Sequence, residues 1–253
     1  MDAVHLIFFA LAAFSAGAID AIAGGGGLIQ LPALLVGLPN EPVANVLGTN
    51  KLSSVFGTSS AAVTYARGRR LDFKLALPMT LFAAGGSALG ALLATSIPNN
   101  VFKPVILAFL VLVAIYTFKR PEFGVNESLK FSRKRALTFG CGIGLLIGLY
   151  DGAIGPGTGS FLVFALVGFL GYEFLRASAI AKVVNVGTNV AAILVFGIHG
   201  SIIVWLGLTM AVFNIAGALV GARVAIKGGS RLVRRIFLVV LLILMVRLAW
   251  DIF

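Results

Sequence analysis

The chain has 253 residues, 59% hydrophobic and only 11% charged, with 20 Lys and Arg against 9 Asp and Glu and a mean hydropathy of +1.05. A water-soluble domain carries about a quarter charged residues, so lipid is the solvent for most of this sequence. The net charge of +11 sits in short basic runs between apolar stretches, which is a positive-inside pattern and argues against nucleic acid as a partner.

Ten apolar stretches follow in chain order: 4–22, 25–38, 43–66, 73–96, 101–118, 136–153, 156–171, 174–197, 201–225 and 232–250. Eight approach the ~20 residues that a spanning helix needs. The second and seventh are short, and each follows a glycine-rich break, so they are expected as tilted crossings or half-helices. The fold expected is an all-α polytopic membrane protein. Met1 to Ile22 has no basic n-region and runs straight into the repeated pattern, so no cleaved signal is expected. Cys141 is the only cysteine, and the histidines stand far apart at His5 and His199. Neither a metal site nor a cofactor is expected.

Sliding the sequence by 131 positions superposes Gly17 on Gly148, Asp20 on Asp151, Gly24 on Gly155, Gly26 on Gly157, Lys51 on Lys182, Gly86 on Gly217 and Gly90 on Gly221. Leu and Val matches, such as Leu31 on Leu162 and Val55 on Val186, are cheap in apolar sequence; matched intramembrane charges are not. The division expected is repeat one over 1–118, a basic cytoplasmic linker over 119–135, and repeat two over 136–253. Five segments per copy make the second copy enter the membrane inverted. Loop charge agrees. Arg67, Arg69, Arg70 and Lys74 follow segment three, whereas the matching loop has only His199; Lys103 follows segment four, whereas its counterpart has Lys227, Arg231, Arg234 and Arg235. The central loop adds Lys119, Arg120, Lys130, Arg133, Lys134 and Arg135. With all three basic loops in the cytoplasm, both termini lie outside an inner membrane.

An ionisable residue deep in a span is a functional candidate by default, because burying its charge costs a few kcal/mol or more (~2.5–3.5 on insertion scales). Asp20, Lys51, Asp151 and Lys182 form two repeat-related pairs. A glycine run ends one helix and lets the next begin with free N–H groups, which attract anions. Gly25, Gly26 and Gly27 in one copy, and Gly157, Thr158 and Gly159 in the other, therefore read as an anion cradle; close helix packing by small residues is the alternative. Asn50 and Ser54 lie beside Lys51, and Asn185 and Asn189 share a helix face with Lys182. The lysines read as an anion site, or as ion-pair partners of Asp20 and Asp151. Those two carboxylates are also the candidates for proton coupling. Gly86-x-x-x-Gly90, Gly217-x-x-x-Gly221 and the ladder Gly140, Gly144, Gly148, Gly152 read as close-packing faces.

Asp20-Ala-Ile-Ala-Gly-Gly-Gly-Gly-Leu-Ile, Leu31-Pro32, Leu-Gly-Thr-Asn-Lys51 and Ser54-Val-Phe-Gly-Thr58 resemble the TauE/SafE family of sulfite-exporter-like membrane proteins. Asp151-Gly-Ala-Ile-Gly-Pro-Gly-Thr-Gly159, with Lys182 and Asn185, is similar to the family's second copy. The resemblance implies outward transport of a small sulfur-containing or carboxylate anion, such as sulfite, sulfoacetate or a related organosulfonate, coupled to an ion gradient. A secondary carrier working by alternating access is thus the leading expectation, with the anion, the bilayer and coupling protons as partners. An anion channel is the alternative. A membrane-embedded enzyme is disfavoured, since no nucleophile, base and metal set converges in the sequence.

Overall fold

A computed structural model describes residues 3–68, 71–94 and 124–252. The fifth stretch, 101–118, together with Lys103, Arg69, Arg70, Lys119 and Arg120, lies outside the described residues.

The described residues form eight helices and no strand: α1 (Ala3–Ala23), α2 (Gly27–Gly37), α3 (Val43–Arg67), α4 (Phe73–Leu93), α5 (Arg133–Ala153), α6 (Thr158–Ala165), α7 (Phe174–Ile198) and α8 (Val204–Ile252). Helix α6 runs on as a π-turn, Leu166–Leu170. Five helices are long and apolar enough to cross a membrane: α1, α4, α5, α7 and the Val204–Val239 part of α8. Helix α3 has the length but carries Thr49, Asn50, Lys51, Ser53 and Ser54 in mid-course, all but Ser54 buried, and this polar content lowers its hydropathy. The apolar side chains left exposed, among them Leu81, Leu146, Leu194 and Val212, face outward as lipid contacts do. The protein is a multi-pass membrane protein.

Two boundaries differ from the sequence reading. Helix α5 begins at Arg133, inside the stretch read as linker, because the Arg133 guanidinium is fixed in a bidentate contact with Asp72 at 2.8 and 2.9 Å. The ninth and tenth stretches are two helices, as read, but they meet at a kink with no loop between: Gly229, at φ 65 and ψ −173, is the single non-helical residue within the range labelled α8. Only glycine takes that conformation readily, so one residue redirects the chain.

Packing is backbone against backbone. A Cβ placed on Gly86 would stand 2.2 Å from the Leu145 carbonyl oxygen, and one on Gly217 would stand 1.9 Å from that of Phe14. Gly90 against Leu149 O (2.0 Å) is matched by Gly221 against Ala18 O (2.3 Å), and Gly148 against Ala83 O (2.1 Å) by Gly17 against Asn214 O (2.2 Å). In each of these three matches both partners move by the sequence shift of 131. Helix α4 packs chiefly on α5 as α1 does on α8, and α3 packs on α8 as α7 does on α4. Small residues are what allow helices to approach this closely.

At one end of the bundle a charged cluster ties the linker to the helices. Asp72 is the N-cap of α4 and accepts from Leu75 N. It also accepts from Arg133 and, at 2.9 Å, from the Tyr172 hydroxyl, and Arg176 stands 3.7 Å away. Arg176 pairs in turn with Glu127 at 2.5 Å. The hydrogen bonds from Arg133 are the largest cause that holds the Asp72 carboxyl down at about 2.

Candidate functional site

Two helices break where the sequence places glycine. After α1, Gly24 adopts φ 83; after α5, Gly155 adopts φ 89 and Gly157 φ 83. These left-handed values end each helix and turn the chain into α2 and α6. The two breaks meet, although they are more than 130 residues apart in sequence. Gly24 and Gly159 lie in contact, so a Cβ on Gly159 would fall 2.5 Å from Gly24 Cα, and Ser160 N donates to Gly24 O at 3.0 Å.

The four charges singled out from the sequence, of which Lys51, Asp151 and Lys182 are buried and Asp20 is partly exposed, form two ion pairs, each across the halves of the chain. Lys51 Nζ lies 2.7 Å from Asp151 Oδ2, and Lys182 Nζ lies 2.8 Å from Asp20 Oδ2. Side-chain exposure is 3% and 2% for the first pair and 0% and 17% for the second. Asp151 Oδ1 accepts from Thr158 at 2.7 Å. Asp20 Oδ2 accepts a longer bond from Thr58 at 3.4 Å, while Lys182 donates also to the Asp20 carbonyl. Isolated buried charges are costly, and pairing is what makes these tolerable.

Both pairs adjoin one polar cavity of about 30 Å³, room for a water molecule or two. Of the residues singled out from the sequence, Asp20, Gly26, Gly27, Asn50, Lys51, Ser54, Asp151, Gly157, Thr158, Gly159, Asn185 and Asn189 line it. Lys182 and Gly25 do not: Lys182 stands behind Asp20, and Gly25 is buried in the turn. Among the described residues the N–H groups of Gly26 and Gly27 have no backbone acceptor, as expected at the start of a helix. Asn50, 5% exposed, keeps its Oδ1 without a partner. The arrangement offers one ammonium, several amides and free backbone donors around one small polar space.

Sequence reasoning passed over Asn214 and Thr58 in the lining. Asn214 donates to Gln30 Oε1 at 2.6 Å, and Gln30 reaches the Asn50 carbonyl at 3.4 Å. A lone amide within Val212-Phe213-Asn214-Ile215 was a readable signal, since polar residues in spans are few. The repeat could not reveal it, because position 83 of the other copy is alanine.

Paired charges, two short apolar helices that start beside glycine breaks, and a small polar cavity between them are features found in membrane transporters. The family model "Sulfite exporter TauE/SafE" matches residues 9–248, and the chain belongs to that family. It is 41% identical over 250 residues to a probable membrane transporter protein, ORF9, of a Sinorhizobium species, covering 98% of this chain and 94% of that one. It is 36% identical over 238 residues to a probable membrane transporter protein of Haemophilus influenzae, covering 94% and 92%. To the probable membrane transporter protein YfcA of Escherichia coli K12 it is 33% identical over 249 residues, covering 97% and 89%. No solved structure matches this chain.

Proposed function

We propose that this protein is a secondary carrier exporting a small anion, sulfite, sulfoacetate or a related organosulfonate or carboxylate, across the inner membrane by alternating access. The observation that carries this reading is the buried Lys51–Asp151 pair on the wall of a small polar cavity lined by asparagines and a helix start. An arriving anion competes with Asp151 for the Lys51 ammonium, while Gly26 and Gly27 N–H groups, Ser54 and the asparagines orient it. The carboxylate released from its lysine is then the group placed to take a coupling proton, since a bare buried carboxylate is costly. A cavity this small supports a carrier that rearranges around its cargo rather than a standing pore. An internally negative potential favours anion exit.

The architecture we infer is two inverted copies, 1–118 and 136–253, joined by a cytoplasmic linker over 119–135, with eight full spans, two half-helical segments and both termini outside. The three exchanged glycine contacts and the exchanged ion pairs support it, because a two-fold axis in the membrane plane predicts that each contact recurs with its partners swapped. Flux into proteoliposomes, measured with sulfite, sulfoacetate, sulfolactate, thiosulfate and simple carboxylates, tests the function. Saturable movement of at least one anion, lost in Lys51→Ala, is expected. If no anion moves under any gradient, or if Lys51→Ala transports normally, the reading fails.

A further inference from the structure

The two broken helices share a sequence pattern but not a set of supports. Every carbonyl at the end of α1 from residue 20 to residue 24 is held by another element. Asp20 O accepts from Lys182, Ala21 O from the Tyr65 hydroxyl at 2.8 Å, Ile22 O from Ser178 at 3.1 Å, Ala23 O from the Ser160 hydroxyl at 3.0 Å, and Gly24 O from Ser160 N at 3.0 Å. These donors come from α3, α6 and α7. Such bonds satisfy carbonyls that a helix end leaves open.

The end of α5 is built differently. Its polar bonds close within its own turn: the Tyr150 hydroxyl donates to Pro156 O at 2.5 Å, and Thr158 donates to Gly155 O at 2.7 Å. Among the described residues, the carbonyls of Gly152, Ala153 and Ile154 accept no side-chain bond from another helix. The cause is written in the sequence. Under the shift of 131, Tyr65 falls on Phe196, Ser178 on Leu47 and Ser160 on Ile29. The three hydroxyls that serve the α1 end, one from the first half and two from the second, have hydrocarbon at the matching positions that would serve the α5 end. The ion pairs follow the same division: Lys182 also donates to the Asp20 carbonyl, whereas among the described residues Lys51 makes no hydrogen bond to the Asp151 carbonyl.

We propose that the two halves of the site do different work. The α1–α2 break, braced by Lys182, Tyr65 and Ser178 and joined to α6 through Ser160, is the fixed wall, and the end of α5 over 150–157 with the Lys51–Asp151 pair is the element that moves when the anion binds. Lys182 is then a positioning residue and Lys51 the anion's partner. The inference rests on the carrier reading above and assigns its moving part. It follows from the bonds that each end does not share: the α1 end is held by Tyr65, Ser178 and Lys182 through its carbonyls and by the Lys182–Asp20 ion pair, whereas freeing the α5 end opens one ion pair that the anion itself replaces. The two Ser160 bonds join α6 to the α1 end and hold α6 to the wall.

Hydrogen–deuterium exchange on the full chain in nanodiscs, with and without sulfite, tests it. Without sulfite, amides in 19–25 should exchange at least tenfold more slowly than those in 150–157. Sulfite should slow 150–157 and leave 19–25 unchanged. In Tyr65→Phe/Ser178→Ala, exchange in 19–25 should rise severalfold while the half-saturating sulfite concentration stays within threefold of the parent; Lys51→Gln should do the reverse, raising half-saturation more than tenfold. Equal exchange of the two segments without sulfite, or sulfite slowing 19–25 as much as 150–157, would overturn the proposal. If the unliganded asymmetry is present but no anion of the flux panel protects either segment, the carrier reading falls and the fixed wall stands.

Discussion

Two charged groupings in this molecule use the same chemistry in opposite settings. In the interior of the bundle, Lys51–Asp151 and Lys182–Asp20 are matched one to one, and of the four only Asp20 keeps appreciable exposure. At the bundle's end, Asp72 is shared by Arg133, Arg176 and Tyr172, its arginines are partly exposed, and a second acid, Glu127, joins in. Exposed pairs contribute little individually and gain from being networked. Buried pairs contribute little net stability, yet removing one partner is severe because it strands the other charge. The outer cluster therefore reads as a clasp between the linker, α4, α5 and α7. The inner pairs read as a balanced charge that an anion can upset.

The largest way to break the comparison is to strand a buried charge. Asp151→Asn should lower stability by about 3–5 kcal/mol, measured as loss of folded protein in a detergent melt. Lys51→Gln/Asp151→Asn should recover much of that loss, as removing both charges together leaves none unpaired. A single variant as stable as the parent would mean that the pair is solvated and not an inner pair at all.

A smaller effect is expected outside. Asp72→Asn should cost about 1.5–3 kcal/mol, the range for hydrogen bonds to a charged group, and should leave anion half-saturation unaltered. Its pH signature has a definite sign. The folded-state value of about 2 lies below the unfolded 3.8, so the stabilisation is fully present above about pH 4. It drains away as pH falls towards 2. The parent's melting temperature should drop through that window more steeply than that of Asp72→Asn; parallel curves would remove Asp72 from the clasp.

The smallest expected change sharpens the inner site. Asn50→Ala removes a side chain whose Oδ1 is already unpartnered, so the melting temperature should barely move. Sulfite half-saturation should rise severalfold if the amide meets the anion. An unchanged half-saturation with a lowered melting temperature would make Asn50 a packing residue.

Much of this was legible because a membrane makes charge rare. Asp20, Lys51, Asp151 and Lys182 stand out against apolar sequence, and the glycine runs mark the helix breaks through the positive φ that Gly24 and Gly155 do adopt. Which lysine meets which carboxylate was not legible. Lys51 pairs with Asp151 and not with Asp20, and spacing along the chain says nothing about a crossing partner. Tyr65, Ser160 and Ser178 were passed over because their partners are backbone carbonyls as far as 156 residues away. A hydroxyl in a span gives no sign of such a target. The join of the ninth and tenth stretches was hidden by Lys227-Gly228-Gly229, which reads as a loop although only Gly229 leaves the helix.

Counterflow tests the central claim most directly: labelled sulfite entering liposomes preloaded with unlabelled sulfite, compared with empty liposomes, for the parent and for Lys51→Gln. The account predicts saturable entry accelerated by the internal load, with acceleration and saturation both lost in Lys51→Gln. Entry that neither saturates nor responds to the internal load, or that is the same in both proteins, would contradict it.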